Sequence, residues 1–288
     1  MDNESTNLWW QKMGRKITKG NPALTRPLTR LGRLGRSFLK RFMYSQMAIR
    51  SGFMIAIGKE QPLVKFKIED DPPSIYWVYR IKPTEVGGLA SKLEIPPQFS
   101  LSPIQCLDTD EPEYLMIVNA YRVSGLANGL RAEWSVFVRD ADNRPRYLVV
   151  DARSSQLSMD PVGIITKSSK VIHERKGRTI HTQIGEDDNA FISTITMPEK
   201  GAYASSAAEW VSANDHIFWG NGISDQTYYN ADLADAQQMR ISKDDAVITD
   251  STPWGQLVEP EPIHILILDT SIELVISPWE NVDRADTW

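Results

Sequence analysis

The sequence predicts an α+β fold that is mainly antiparallel β, closed or nearly closed around a central cavity, with an N-terminal helical arm. Three observations carry this reading. After Lys59, short runs rich in β-branched and aromatic residues follow one another, each bounded by turn residues. Two of the breaks, Asp142-Asn143 and Lys176-Gly177, have the composition of hairpin turns. Helical periodicity is confined to one stretch before residue 50 and one short segment near residue 84. A chain of many short strands with few long helices manages its exposed edges by closing the sheet.

Residues 1–27 read as an irregular arm broken by Gly20, Pro22 and Pro27. From Leu28 to about Met47 the spacing predicts a helix. Leu31, Leu34, Phe38, Phe42 and Ile49 share one face, while Arg33, Arg36, Lys40 and Arg50 point away. Gly32 and Gly35 weaken it by about 1 kcal/mol each. Strands are expected at Leu63–Ile68, Ile75–Ile81, Tyr114–Val123, Ala132–Arg139, Arg146–Asp151, Lys170–Glu174, Thr179–Ile184, Ala190–Met197, Ala246–Thr249 and Ile263–Asp269. Thr84 reads as the N-cap of a short helix through Leu93, ended by Pro96-Pro97. No linker follows residue 60, so the organisation is a basic arm with an amphipathic helix, 1–59, and a single β-rich domain, 60–288.

The chain's 288 residues are 41% hydrophobic and 24% charged, enough to bury the core of one large β-rich domain. No run of about 18 apolar residues is present, so no membrane-spanning helix is expected. The opening Met1-Asp2-Asn3-Glu4 lacks a secretory signature. Cys106 is the one cysteine, which excludes an internal disulfide and a cysteine-built zinc site and fits a reducing compartment. A cytoplasmic location is the expectation.

Charge is unevenly spread. Twelve basic residues and no acid lie between Ser5 and Lys59; the other 20 basic residues face 37 acidic ones, a balance of −17. The arm is therefore expected to dock on its own acidic body or at a subunit contact. Membrane association through residues 28–50 is the lesser reading, because the apolar face is short and no lipidation signal accompanies it. Nucleic acid is not an expected partner: the body is acidic and carries no basic–aromatic recognition motif.

Several chemistries lack their sequence signatures. There is no glycine-rich loop followed by Lys and Ser/Thr, no GxGxxG after a strand and no G-x-S-x-G elbow. Gly220-Asn221-Gly222 reads as a tight turn. His173 and His181 lie across a predicted hairpin, but a metal would need a third ligand that the sequence does not nominate. Trp210, Trp219, Tyr228, Tyr229 and Trp254 crowd the C-terminal half and read as core or subunit contacts.

One order of motifs stands out. Ile75-Tyr76-Trp77-Val78-Tyr79-Arg80 leads to the Thr84–Leu93 helix and Leu93-Glu94-Ile95-Pro96-Pro97. Strand Tyr114–Val123 follows, then Gly129-Leu130-Arg131-Ala132-Glu133, a strand ending Leu148-Val149-Val150-Asp151, and Lys167. This order resembles the acetoacetate decarboxylase superfamily. There a V-Y-R strand precedes a helix, an L-x-P turn, a G-x-Y-x-E motif, a strand ending in Leu-Asp and a segment carrying a Schiff-base lysine. The resemblance covers roughly residues 62–185 and implies a cone-shaped or closed β-barrel and a homo-oligomer.

It places Lys167 at the nucleophilic lysine and Glu133 at the motif glutamate. Arg131 stands where the tyrosine would be, and Ile117 near a second active-site glutamate. Arg80 closes the V-Y-R strand, and Trp134 adjoins Glu133; with Arg131 and Ile117 these are the expected substrate-binding residues. Met159-Asp160-Pro161, Thr166 and Ser168 differ from the family's G-R-E, proline and second lysine. The family's arginine ahead of the V-Y-R strand falls near Pro72, and the loss of that arginine and of the glutamate at Ile117 favours a larger, less acidic substrate than acetoacetate, such as a secondary-metabolite intermediate.

A lysine attacks a carbonyl only when unprotonated, and free lysine titrates near about 10.4. With Ser168 in place of a second cation, activation of Lys167 would fall to desolvation. The protonated imine is then the electron sink for decarboxylation, aldol or dehydration chemistry, with Glu133 moving the proton and no metal or organic cofactor required. The alternatives are a non-covalent cyclase, isomerase or dehydratase in the same cavity, or a non-catalytic hydrophobic-ligand-binding protein.

Overall fold

The computed structural model describes residues 64–105, 111–125, 129–143, 145–155, 167–186, 188–198, 205–207, 215–218, 227–231 and 237–277. The predicted arm and its helix, and Trp210 and Trp219, lie outside these residues.

All ten predicted strands are present, as β1 (Val64–Ile68), β2 (Ser74–Arg80), β4 (Leu115–Gly125), β5 (Gly129–Arg139), β6 (Pro145–Ser154), β8 (Val171–Lys176), β9 (Thr179–Glu186), β10 (Asn189–Thr196), β15 (Ala246–Asp250) and β16 (His264–Leu268). Shorter strands join them: β3 (Ser100–Leu101), β7 (Lys167–Ser168), β11 (Ser205–Ala207), β12 (Asp215–Phe218), β13 (Thr227–Ala231), β14 (Gln237–Ile241) and β17 (Ile272–Ser277). Pairing is mostly antiparallel. β6 is the exception, since it receives β12 and β7 in parallel along one edge.

The large sheet runs β11-β14-β16-β2-β4-β1-β17-β13-β12-β6-β5-β3, and β4 also pairs with β5. The pairings β4–β1–β17–β13–β12–β6–β5 therefore return to β4. A second sheet, β15-β10-β9-β8, packs against one face of the first.

Side-chain alternation assigns the faces of the large sheet. On β5, Ala132, Trp134, Val136 and Val138 join the core with Ile75, Trp77 and Tyr79 of β2. Ile180, Ile184, Phe191 and Ile195 of the second sheet complete it. The indole of Trp77 meets the ring of Phe191 edge-on, with centroids 4.9 Å apart. Gly185, opposite Ala190 at the end of the β9–β10 ladder, holds φ +95°, and a Cβ there would collide with the Asn189 carbonyl oxygen, so only glycine fits.

The short helix, α1 (Pro83–Lys92), buries Leu89 against this core. Its start corrects the sequence reading: Lys82, not Thr84, is the N-cap, and no side chain caps it. Pro83 explains the difference, because its fixed φ and missing N–H suit the first helical position and leave Thr84 inside the turn.

His173 and His181 also separate. The β8–β9 ladder sets His173 opposite Thr182 and His181 opposite Glu174, so the two rings stand on opposite faces. His173 is buried, with Nδ1 2.8 Å from Thr182 Oγ1 and Nε2 2.9 Å from the Pro73 carbonyl oxygen. Since a carbonyl only accepts, Nε2 carries the proton and Nδ1 accepts from the threonine hydroxyl. No group of three metal-ligating side chains occurs among the described residues.

Burial pulls the His173 pKa down to about 4, against the opposing effect of the Pro73 hydrogen bond. The unfolded chain takes up this proton near about pH 6.5, while the folded chain resists it until about pH 4. The stability this group contributes is complete above pH 6.5 and is lost as pH falls toward 4. Between pH 8 and pH 5 the loss is about 2 kcal/mol. Urea unfolding at the two pH values checks this, and His173→Gln should remove that part of the slope.

Candidate active site

The face of the large sheet turned away from the second sheet is polar where β2, β4, β5 and β6 run side by side. Cross-strand register places Tyr76 opposite Asn119, Asn119 opposite Glu133, and Glu133 opposite Ala152, in one row. In the next row on the same face, Tyr121 faces Arg131, and Arg131 faces Ser154. On the other side, Ile117 faces Ser135 and Phe137 faces Tyr147. Small Ala152 beside Glu133 leaves room for the longer side chains of the neighbouring strands.

These groups are withdrawn from solvent. Glu133, Asn119, Tyr76, Tyr121, Ser135 and Tyr147 are all buried, and the Arg131 side chain is 11% exposed. Arg131 donates from Nε to Glu133 Oε1 over 2.6 Å. The Tyr121 phenol is hydrogen-bonded to the same carboxylate, and the Tyr76 phenol to Asn119. Burial raises the pKa of Tyr76, Tyr121 and Tyr147, and the charge of Glu133 adds to each. The three phenols are therefore neutral O–H groups at physiological pH.

The predicted site residues divide. Glu133, Arg131 and Ile117 share the polar face. Trp134 does not: as the next residue on β5 it points to the opposite face. There the Arg153 guanidinium lies 5.9 Å from its ring centroid, and Asp151 holds both Arg153 and the indole N–H of Trp254. Arg80 lies at the end of β2, half-exposed, and its Nη2 is 2.6 Å from Glu113 Oε1, away from the cluster.

Lys167 lies in β7, alongside β6, which separates it from β5 and Glu133. Two strand spacings amount to about 10 Å. The parallel ladder aligns Lys167 with Arg153 and Ser168 with Ser154, and Ser154 is the one on the row of Arg131.

No family model matches the chain, and no curated protein does either. Among solved structures it is similar to an acetoacetate decarboxylase-like enzyme from Sphingomonas wittichii RW1, with 9% identity and a TM-score of 0.44 over 74% of this chain and 89% of that one. So loose a likeness transfers neither a residue nor a reaction.

The chemistry must come from the side chains themselves. A carboxylate in a low-dielectric setting, with a guanidinium and neutral phenols around it, can take and return a proton. The same phenols can donate to an oxygen on which negative charge develops. Sequence reasoning missed Tyr76, Asn119, Tyr121 and Tyr147. Alternation along β2, β4 and β6 would have grouped Tyr76 with Val78 and Asn119 with Tyr121. Bringing the groups together required the cross-strand register. An open groove of about 610 Å³ lies at the β4–β5 end, lined by Glu69, Arg122, Leu130 and Ser155 among others. It does not include Glu133.

Proposed function

We propose that this protein is an enzyme of carbonyl chemistry in which Glu133 carries the proton on and off the carbon beside a ketone, with a β-keto acid or related ketone as substrate. The observation that supports it is the buried row Tyr76–Asn119–Glu133, flanked by Arg131 and Tyr121. In this reading the pairing circuit through β4, β1, β17, β13, β12, β6 and β5 encloses the polar face, and the substrate sits inside it. Proton removal sends the C–H electron pair onto the carbonyl oxygen, where the phenol O–H groups stabilise the enolate. A β-keto acid would reach the same enolate by losing carbon dioxide, and the proton would then return to carbon. Cyclisation, isomerisation and dehydration all begin from that intermediate.

The covalent form of the reading adds Lys167 as an imine-forming amine, a role supported by the order of motifs in the sequence rather than by the register of β7, which aligns Lys167 with Arg153. Borohydride trapping with a panel of ketones and aldehydes, read by peptide mass, decides that point. An adduct on Lys167, absent in Lys167→Arg, supports the imine. The broader reading is tested by α-proton exchange of a ketone panel in deuterated buffer, followed by proton NMR. Glu133→Gln is expected to slow exchange by about 10²- to 10⁴-fold while the circular dichroism stays unchanged. Equal rates in the two proteins would overturn it.

A further inference from the structure

We infer that the Glu133 site selects carbonyl compounds that also carry a hydroxyl group near the carbonyl, and that Asn119 is the residue that reads it; this rests on the carbonyl chemistry proposed for Glu133. Asn119 is 3% exposed, yet its Oδ1 has no hydrogen-bond partner among the described residues. Its other amide atom is committed, because Nδ2 serves the Tyr76 phenol. A buried carbonyl oxygen without a donor is costly, and native structures keep few such groups without a reason.

Three features make a ligand donor the partner that fits. Asn119 lies on the polar face directly opposite Glu133 in the β4–β5 ladder, so the two Cβ atoms are about 5 Å apart. Two of the nearby donors are drawn toward Glu133, since Arg131 and Tyr121 both bond to it, and the Tyr147 phenol is engaged with Ser135. Oδ1 is purely an acceptor, so the complementary group must bring a proton. A span of about 5 Å matches a hydroxyl one or two carbons from the carbon that Glu133 deprotonates. An α- or β-hydroxy ketone satisfies both residues; the ketone lacking the hydroxyl leaves Oδ1 empty. Sites that hydrogen-bond a substrate hydroxyl reject analogues without it far more strongly than apolar pockets reject a missing methylene.

The test pairs hydroxy ketones with their deoxy counterparts, measuring α-proton exchange and, separately, equilibrium binding by calorimetry. Wild-type protein should exchange and bind the hydroxylated member at least about 100-fold better. Asn119→Leu, which keeps the branched outline of the side chain without its polar atoms, should lose that preference chiefly by weakening the hydroxylated ligand; Asn119→Ala serves if the leucine variant does not fold. A wild-type preference absent from the start, or one that survives in the variants, overturns the inference. Selective binding that depends on Asn119 without any exchange would uphold it and overturn the proton-transfer role of Glu133. No binding of either class would overturn both.

Discussion

Arg131→Met should destabilise the folded protein by about 3–5 kcal/mol, the largest effect expected from any change at the polar face. The reason is what the substitution leaves behind. Glu133 is buried, and Arg131 is the cation on its Oε1 at 2.6 Å. Without the guanidinium the carboxylate keeps the Tyr121 hydrogen bond but no opposite charge, and desolvation then dominates. Removing both partners together, as Arg131→Met with Glu133→Leu, should recover most of the loss, because a well-packed apolar pair needs no solvation. Urea denaturation of the two single variants and the double variant measures this directly. A double variant no more stable than Arg131→Met alone would show that the pair is not the source. The recovered protein should also be inactive in proton exchange, separating what the pair does for folding from what it does for substrate.

Trp77→Ala should cost a comparable amount, about 3–5 kcal/mol, for a different reason. Trp77 is fully buried at the joint between the two sheets, against Phe191 at 4.9 Å. Its removal opens a cavity that two hydrogen-bonded sheets cannot collapse to fill. A double-mutant cycle with Phe191→Leu should give a coupling of about 1 kcal/mol, the increment of an edge-to-face pair beyond simple burial. Val247→Ala is the control: at 74% exposed on the second sheet, it should change stability by less than about 0.5 kcal/mol. Equal effects at Trp77 and Val247 would mean that the two sheets are not joined where the packing places them.

The strands that were legible in the sequence are those long enough to carry their own pattern. β2, β4 and β10 each present a run of β-branched and aromatic residues bounded by turns, and hairpins such as β8–β9 add a turn signal at Gly177, whose φ is +61°. β7 and β3 have two residues each, and β12 has four; strands so short exist because a neighbour pairs with them, and no local pattern encodes that. The helix start was misplaced because proline at the first position substitutes for a side-chain cap. Within the site, Glu133 was named from its motif. Its companions Asn119 and Tyr76 belong to other strands and become neighbours only through register. Trp134 illustrates the converse: adjacency in sequence guarantees opposite faces in a strand.

The β5–β6 ladder carries one irregularity between Trp134 and Ser135. Ser135 pairs with Val149 and Trp134 with Asp151, leaving Val150 as an extra residue in β6. That residue acts as a frameshift. Before it, odd-numbered side chains of β6 such as Tyr147 look toward Glu133's face; after it, even-numbered ones such as Ala152 and Ser154 do. Were the pairing drawn through without the shift, Asp151 would stand opposite Glu133 and Arg153 opposite Arg131, and the alignment of β7 would shift in phase with them. Two chains with the same spacing of motifs but without the same extra residue would turn different side chains of this strand toward the polar face. Comparisons that count positions from Val149 toward Lys167 therefore need the frame of β6 before they can match one residue to another.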